Sequence, residues 1–375
     1  MTTSHAPSAT PVVRPVADRP MRPRAWSAAS VGVLIGCAGS AAAIVWLVFA
    51  LTPLAGGFAF AICWLALFVG IFWLVERDLH GKLAASDRTA QVLIAAAAAI
   101  VVGPLVTIVG YVAYRGLKAL RLGFFTHTLA SVGPLAPATQ GGAAHAIVGT
   151  LMQVSLALIV CVPLGVLAAV FLNEIGGRIA SPVRALVNAM SGVPSIVAGL
   201  FIYAVWILQF HQGFSGFAGS LALSVLMLPT IIRTAEEVLR LVPGGLREAS
   251  LALGVSQWRT VAGVVLPTAR AGLITAVILG VARAVGETAP LIMTSFGSPT
   301  INWNPLRGPQ ASLPTFIFNL IRSPFAQQLD RAWTGAFVLI FMVLALFTTA
   351  RILGRGRLGS KKRSRRTKEP TVVSA

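Results

Sequence analysis

Charge is the scarcest commodity in this chain. Of 375 residues only 11% are Asp, Glu, Lys or Arg, against roughly a quarter in an ordinary soluble domain. Acidic residues number 11 and basic ones 30. Three cysteines, Cys37, Cys63 and Cys161, lie singly in apolar runs, which excludes a disulfide or thiolate-metal framework. Five scattered histidines offer no metal-ligand spacing. No G-x-x-x-x-G-K-[ST] phosphate loop occurs, so the chain is not expected to hydrolyse ATP by itself. Gly354, Gly356 and Gly359 match G-x-G-x-x-G by letter, but they sit in a basic tail with no strand before them and are dismissed.

What is present is hydrocarbon, blocked into long runs. Segments 31–54, 58–75 and 92–114 contain no charge, and each is near the ~20 residues needed to cross ~30 Å of bilayer core. Five more candidates follow, at about 144–172, 183–210, 215–232, 268–292 and 332–350. The reading is an all-α integral membrane protein with about eight transmembrane helices. The first run is too long for a signal h-region and is read as a retained span. With a cytoplasmic N-terminus, the inner segments hold 23 basic residues and the outer ones 6, with Arg283 alone inside a span. This positive-inside bias places both termini in the cytoplasm of a multi-pass cell-membrane protein. The net charge of +19 is thereby read as a topology signal, and the tail 355–375 as an anchor near anionic lipid, with no nucleic acid as partner.

The chain divides into a cytoplasmic tail (1–30), an N-terminal two-helix hairpin with a charged linker (31–90), a core (91–354) and the basic cytoplasmic tail (355–375). Two polar interruptions mark the core. The outer one, 294–331, carries five prolines and little charge and is expected to form a cap facing a partner. The inner one, 233–267, is patterned. Leu246, Ala249, Ser250 and Leu253 fall on one helical face, Gly254 is placed to stop that helix, and Ser256 to cap a second. The pattern fits a compact knob on the inner surface, or an amphipathic segment lying at the interface.

The stretch ILGVARAVGETAPLIM (278–293) poses the chemical question. Arg283 and Glu287 stand four residues apart, so that on one continuous helix they meet on one face. Arg283 lies ~20 Å along such a helix from Arg270 at the inner surface, past the midplane. An ionised group there costs several kcal/mol unless paired or facing a polar cavity. Either the two form a buried ion pair that orients helices, or they gate an anion. Guanidinium presents a fixed fork of donors that matches phosphate oxygens. Pro194, Pro229 and Pro290 weaken three core helices near this level, as flexible pathway elements or as ordinary tolerated kinks.

Glu248-Ala249-Ser250, then Gly254, Val264 and Leu266-Pro267, resembles the EAA loop of ABC importer membrane subunits. Ser250 and Val264 stand where Ala and Ile are usual. GVPSIVAGLF (192–201), LPTIIRTAEEVLRLVP (228–243) and ARAVGETAPLI (282–292) narrow the likeness to PstA-type permeases of phosphate ABC importers, and 115–126 and 147–175 agree. The resemblance covers about 90–354. It implies a six-helix type I ABC importer permease core, to which the N-terminal hairpin is an addition expected to pack on the core's lipid face. It also implies that Arg247, Glu248, Ala249, Ser250 and Gly254 form a coupling helix for a separate ATPase, and that Arg283, Glu287 and Thr288 belong to the substrate pathway. The implied partners are a second permease (PstC-like), an ATPase dimer (PstB-like) that binds the ATP, and an extracellular phosphate-binding protein (PstS-like). No cofactor is implied for the chain itself.

Three other readings compete. The same architecture could carry sulfate or molybdate. A secondary transporter would show inverted repeats and more midplane acids, and Glu287 stands nearly alone. A phosphate-sensing membrane scaffold would have no need of Arg283.

Overall fold

The structure, a computed structural model, describes residues 28–53 and 56–354. The tail 355–375 and nearly all of 1–30 lie outside these residues, as does part of the turn around Thr52–Gly57. Among the described residues the regular structure is helical, with seven helices long and apolar enough to cross a membrane. A bent pair brings the number to eight when counted as one span.

The first compact unit runs to Val106. Helix α1 (Ala28–Leu51) and helix α2 (Gly57–His80) form its hairpin. Cys37, Ala41 and Val45 make one buried stripe of α1, and Phe68, Phe72 and Glu76 one of α2, each at four-residue spacing. The Trp64 indole N–H donates to the Ala38 carbonyl at 3.0 Å. The charged stretch 76–88 is not an extended linker: α2 ends at His80, Gly81 turns the chain at φ 83°, and α3 (Lys82–Gly116) begins at once. Buried Glu76 closes the stripe, held by Arg88 at 2.7 Å and His80 at 2.8 Å. The unit boundary falls within α3.

The second unit, from Thr107 on, follows the rest of α3 with a short helix α4 (Leu122–Thr126), where Phe124 is buried and Leu122 exposed. Helix α5 (Ala144–Val170) continues into a wide π-helical turn, Phe171–Ile175. Helix α6 (Ala180–Ser191) and helix α7 (Ser195–Ile202, with a π-helical extension Tyr203–Gln209) form the bent pair, turning 106°. Helix α8 (Gly216–Arg240) leads to α9 (Gly244–Ala252), α10 (Gln257–Thr260) and a π-helical turn Val261–Val265. Then come α11 (Leu266–Val285), α12 (Ala289–Thr294), α13 (Leu313–Ile321) and α14 (Ala326–Gly354).

Helix α8 is the axis, packed against α5 and α11 through Ala157, Cys161, Leu223, Met227, Ile231, Ala284 and Val285. Close approach comes from glycine: a Cβ at Gly165 or at Gly280 would sit 2.7 Å from the Ile231 side chain. Small residues serve this purpose between membrane helices, where dispersion replaces the hydrophobic drive. The bent pair spans the length of α8. Arg184 of α6 pairs with Glu236 near its C-terminal end at 2.8 Å, and Trp206 beyond α7 packs on Phe217 at its start. Those two levels are separated by ~28 Å of helix. Counted as one span, the pair brings the number to eight, in keeping with the expectation of about eight; counted apart, it leaves seven.

At the end of the bundle opposite the C-terminus of α8, the 294–331 segment is built into it. Gln310 is 1% exposed and accepts from the Gln153 amide at 3.2 Å. The Thr150 hydroxyl accepts from the Leu313 backbone N–H at 2.7 Å, and Ser312 with Thr315 forms a capping box for α13. Trp303 and Leu306 remain exposed at the tip.

Candidate functional site

Two helix breaks in the second unit lead into helices that pack on each other. The first, Gly192–Val193–Pro194, separates α6 from α7. The second, Gly286–Glu287–Thr288, separates α11 from α12. Pro290 supplies no N–H and restricts the residue before it, while Gly286 caps α11 with its N–H on Ala284. The helices after the breaks pack tightly: a Cβ on Gly199 would lie 2.6 Å from the Pro290 Cα. Pro194 and Pro290 thus belong to real interruptions. Pro229 stays inside a continuous α8, buried.

The break corrects the geometry expected for Arg283 and Glu287. Arg283 occupies the last turn of α11, whereas Glu287 follows the cap and lies off that helix. The i, i+4 relation presumes an unbroken helix, and no ion pair joins the two side chains. Glu287 and Thr288 are half-buried, while Arg283 is exposed and meets no acceptor among the described residues. Its depth is set by Gly280, one turn earlier, which packs against Met227 and Ile231 at mid-α8. Gly192, Pro194 and Gly286 are exposed as well. A free guanidinium and interrupted backbone at this depth are costly against hydrocarbon, and are tolerated where they face protein or a water-filled cavity. Arg233, counted from the sequence as an inner-loop cation, is instead part of α8, where it donates to Asn188 of α6 at 2.7 Å.

The second cluster is the elbow formed by α9 and α10. Helix α9 stops at Gly254, whose φ of 77° is the left-handed value the sequence anticipated. Ser256 is at the N-cap of α10, though without a side-chain cap bond. The stripe of Leu246, Ala249, Ser250 and Leu253 lies for the most part on the exposed side of the elbow. Only Ser250 turns inward, its hydroxyl 2.9 Å from that of Thr260, because the elbow projects from the bundle. Glu248, Ala249 and Gly254 are exposed, together with Leu246, Leu251, Leu253 and Trp258. Arg247 points inward. Its Nε and Nη2 hold the Glu174 carboxylate at 3.1 and 2.8 Å, and its guanidinium also donates to the carbonyls of Leu239 and Val242. Sequence reasoning passed over Glu174; an acid closing an otherwise apolar span was the available signal.

Residues 161–356 match the model of the family described as "Binding-protein-dependent transport system inner membrane component". The phosphate transport system permease protein PstA 1 of Mycobacterium tuberculosis is 42% identical over 254 residues, 67% of this chain and 82% of that protein. PstA of Pasteurella multocida is 36% identical over 240 residues, 64% of this chain and 83% of that one. Among solved structures, the MetNI methionine ABC transporter in an inward-facing conformation matches at a TM-score of 0.45 and 22% identity, over 56% of this chain and 92% of that chain.

Proposed function

The chain belongs to the family of binding-protein-dependent transport system inner membrane components, and from that premise we propose that it forms half of the translocation pathway of an ATP-driven phosphate importer. It is a multi-pass membrane transport subunit and not an enzyme. A second, PstC-like permease completes the pathway, a PstB-like ATPase dimer hydrolyses ATP, and a PstS-like protein delivers phosphate from outside. The membrane is the cell membrane, with both termini in the cytoplasm.

The carrying observation is the free, exposed Arg283 at mid-depth beside two broken helices. Phosphate entering this level must shed water, and a guanidinium fork replaces part of its hydration with charge-assisted bonds. Release demands that binding stay weak. A single arginine, with Glu287 and Thr288 in the adjoining break, provides one charged contact and no enclosing anion cage. The exposed face of the elbow, with Glu248, Ala249 and Gly254, receives the ATPase; Arg247 and Ser250 hold its shape from within.

Labelled-phosphate uptake by proteoliposomes containing the full complex tests the reading. ATP-dependent uptake that a tenfold excess of sulfate or molybdate leaves intact supports it. Uptake abolished by either competitor reassigns the cargo, and uptake independent of ATP rejects the importer itself.

A further inference from the structure

We propose that Glu174 is a positioning residue that joins the inner elbow to α5 and thereby delivers elbow movement to the outer cap. The inference rests on the importer reading above and concerns how its inner knob is connected to its outer end.

Glu174 gathers both arms of the elbow. Its carboxylate takes the Arg247 guanidinium of α9, and its backbone carbonyl accepts from the Gln257 amide of α10 at 2.6 Å. Asn173 donates to the same carboxylate at 2.6 Å. Arg247 is itself secured to the end of α8 through the Leu239 and Val242 carbonyls. The Arg247–Glu174 contact is a two-point, charge-assisted fork, the geometry that fixes direction as well as attraction.

Two features suit this junction to movement. Both helical segments that meet there are π-helical, Phe171–Ile175, which contains Glu174, and Val261–Val265 after α10. Such wide turns are local irregularities found frequently at functional positions. A polar cleft of about 440 Å³, lined by Glu174, Arg240, Arg247, Gln257 and Thr260, opens beside the bonds. Water can therefore replace them one at a time.

The other end of α5 is equally fixed. Thr150 and Gln153 bond Leu313 and Gln310 of the outer segment, ~32 Å along the helix from Glu174. Between the two ends α5 packs on α8 and α11 through Ala157 and Cys161. A continuous helix, gripped by ion pair at one end and buried amides at the other, links the elbow to the cap. Arg247 thus acts within the chain, and the partner-facing surface is left to Glu248 and its exposed neighbours.

The test uses the full reconstituted complex and reads phosphate transported per ATP hydrolysed. Glu174→Gln keeps the side-chain shape and removes the charge. The ratio is expected to fall by about 5- to 150-fold, the span of ordinary coupling free energies, while ATP hydrolysis continues. Glu174→Asp keeps the carboxylate beside Arg247 and is expected to retain most of the ratio. An unchanged ratio in Glu174→Gln overturns the proposal. So does a Glu174→Asp complex that assembles yet is as uncoupled as Glu174→Gln; if Glu174→Gln fails to assemble, Arg247→Lys, which keeps the charge and loses the fork, is read in its place, and an unchanged ratio there overturns the proposal. A wild-type complex without phosphate uptake would instead defeat the importer reading.

Discussion

Replacing Arg283 by leucine is the sharpest perturbation of the pathway reading. The guanidinium has no acceptor within the chain, so its removal leaves no buried carboxylate stranded. What is lost is the interaction with a passing anion. For a singly charged phosphate at ~4 Å and an effective dielectric of ~20, that is ~4 kcal/mol. At ~1.4 kcal/mol per decade, uptake falls by about three orders of magnitude. Lysine retains the charge and loses the fork. Loss of one charged hydrogen bond, worth ~1.5–3 kcal/mol, predicts a decline of roughly 10- to 100-fold for Arg283→Lys. Structural damage cannot imitate this series. Arg283 sits in the last turn of α11, where a cation gains only ~0.3–1 kcal/mol from the helix dipole. The assay is initial-rate phosphate uptake in proteoliposomes, with assembly verified by co-purification of the other subunits. A correctly assembled Arg283→Leu complex with uptake within about threefold of wild type, too small a loss for a charged contact, would refute the argument.

The same region shows where sequence reasoning reaches its limit. Apolar runs announce spans because each must cover a fixed thickness, and the starts of α1, α5 and α8 fall within a few residues of the expected positions. Helix continuity was not so legible. Spacing of Arg283 and Glu287 argued for a pair, yet Gly286 and Pro290 were in the same stretch and decide the backbone against it. The elbow was readable from Gly254, since a left-handed stop follows from glycine's lack of a Cβ. Its stripe at helical spacing left a surface knob and an interfacial segment equally open, and the exposure of Leu246, Ala249 and Leu253 fits either. The π-helical turns left no mark in the sequence, and Glu174 finds Arg247 across 73 positions only after the bundle has assembled.

Three further outcomes follow from the geometry. Gly199→Val would press a side chain onto the Pro290 backbone, where even a Cβ lies at 2.6 Å; a loss of ~1–3 kcal/mol is expected, and an unchanged thermal midpoint of the purified protein would show that α12 is not held where described. Glu248→Lys alters an exposed side chain outside every ion pair of the described residues, so stability should stay within ~0.5 kcal/mol while co-purification of the ATPase is lost. Retained co-purification with full uptake would move the docking surface elsewhere. Thr150→Val removes the hydroxyl that accepts from the Leu313 N–H and leaves that buried donor unpaired, at ~1–3 kcal/mol. Because the bond secures the outer segment rather than the bundle, the expected readout is local: faster hydrogen exchange at 311–316, with the core of α8 unaffected. Exchange that rises equally in α8 would mean that cap and bundle unfold as one unit, and α5 would then have no separate outer grip through which to pull.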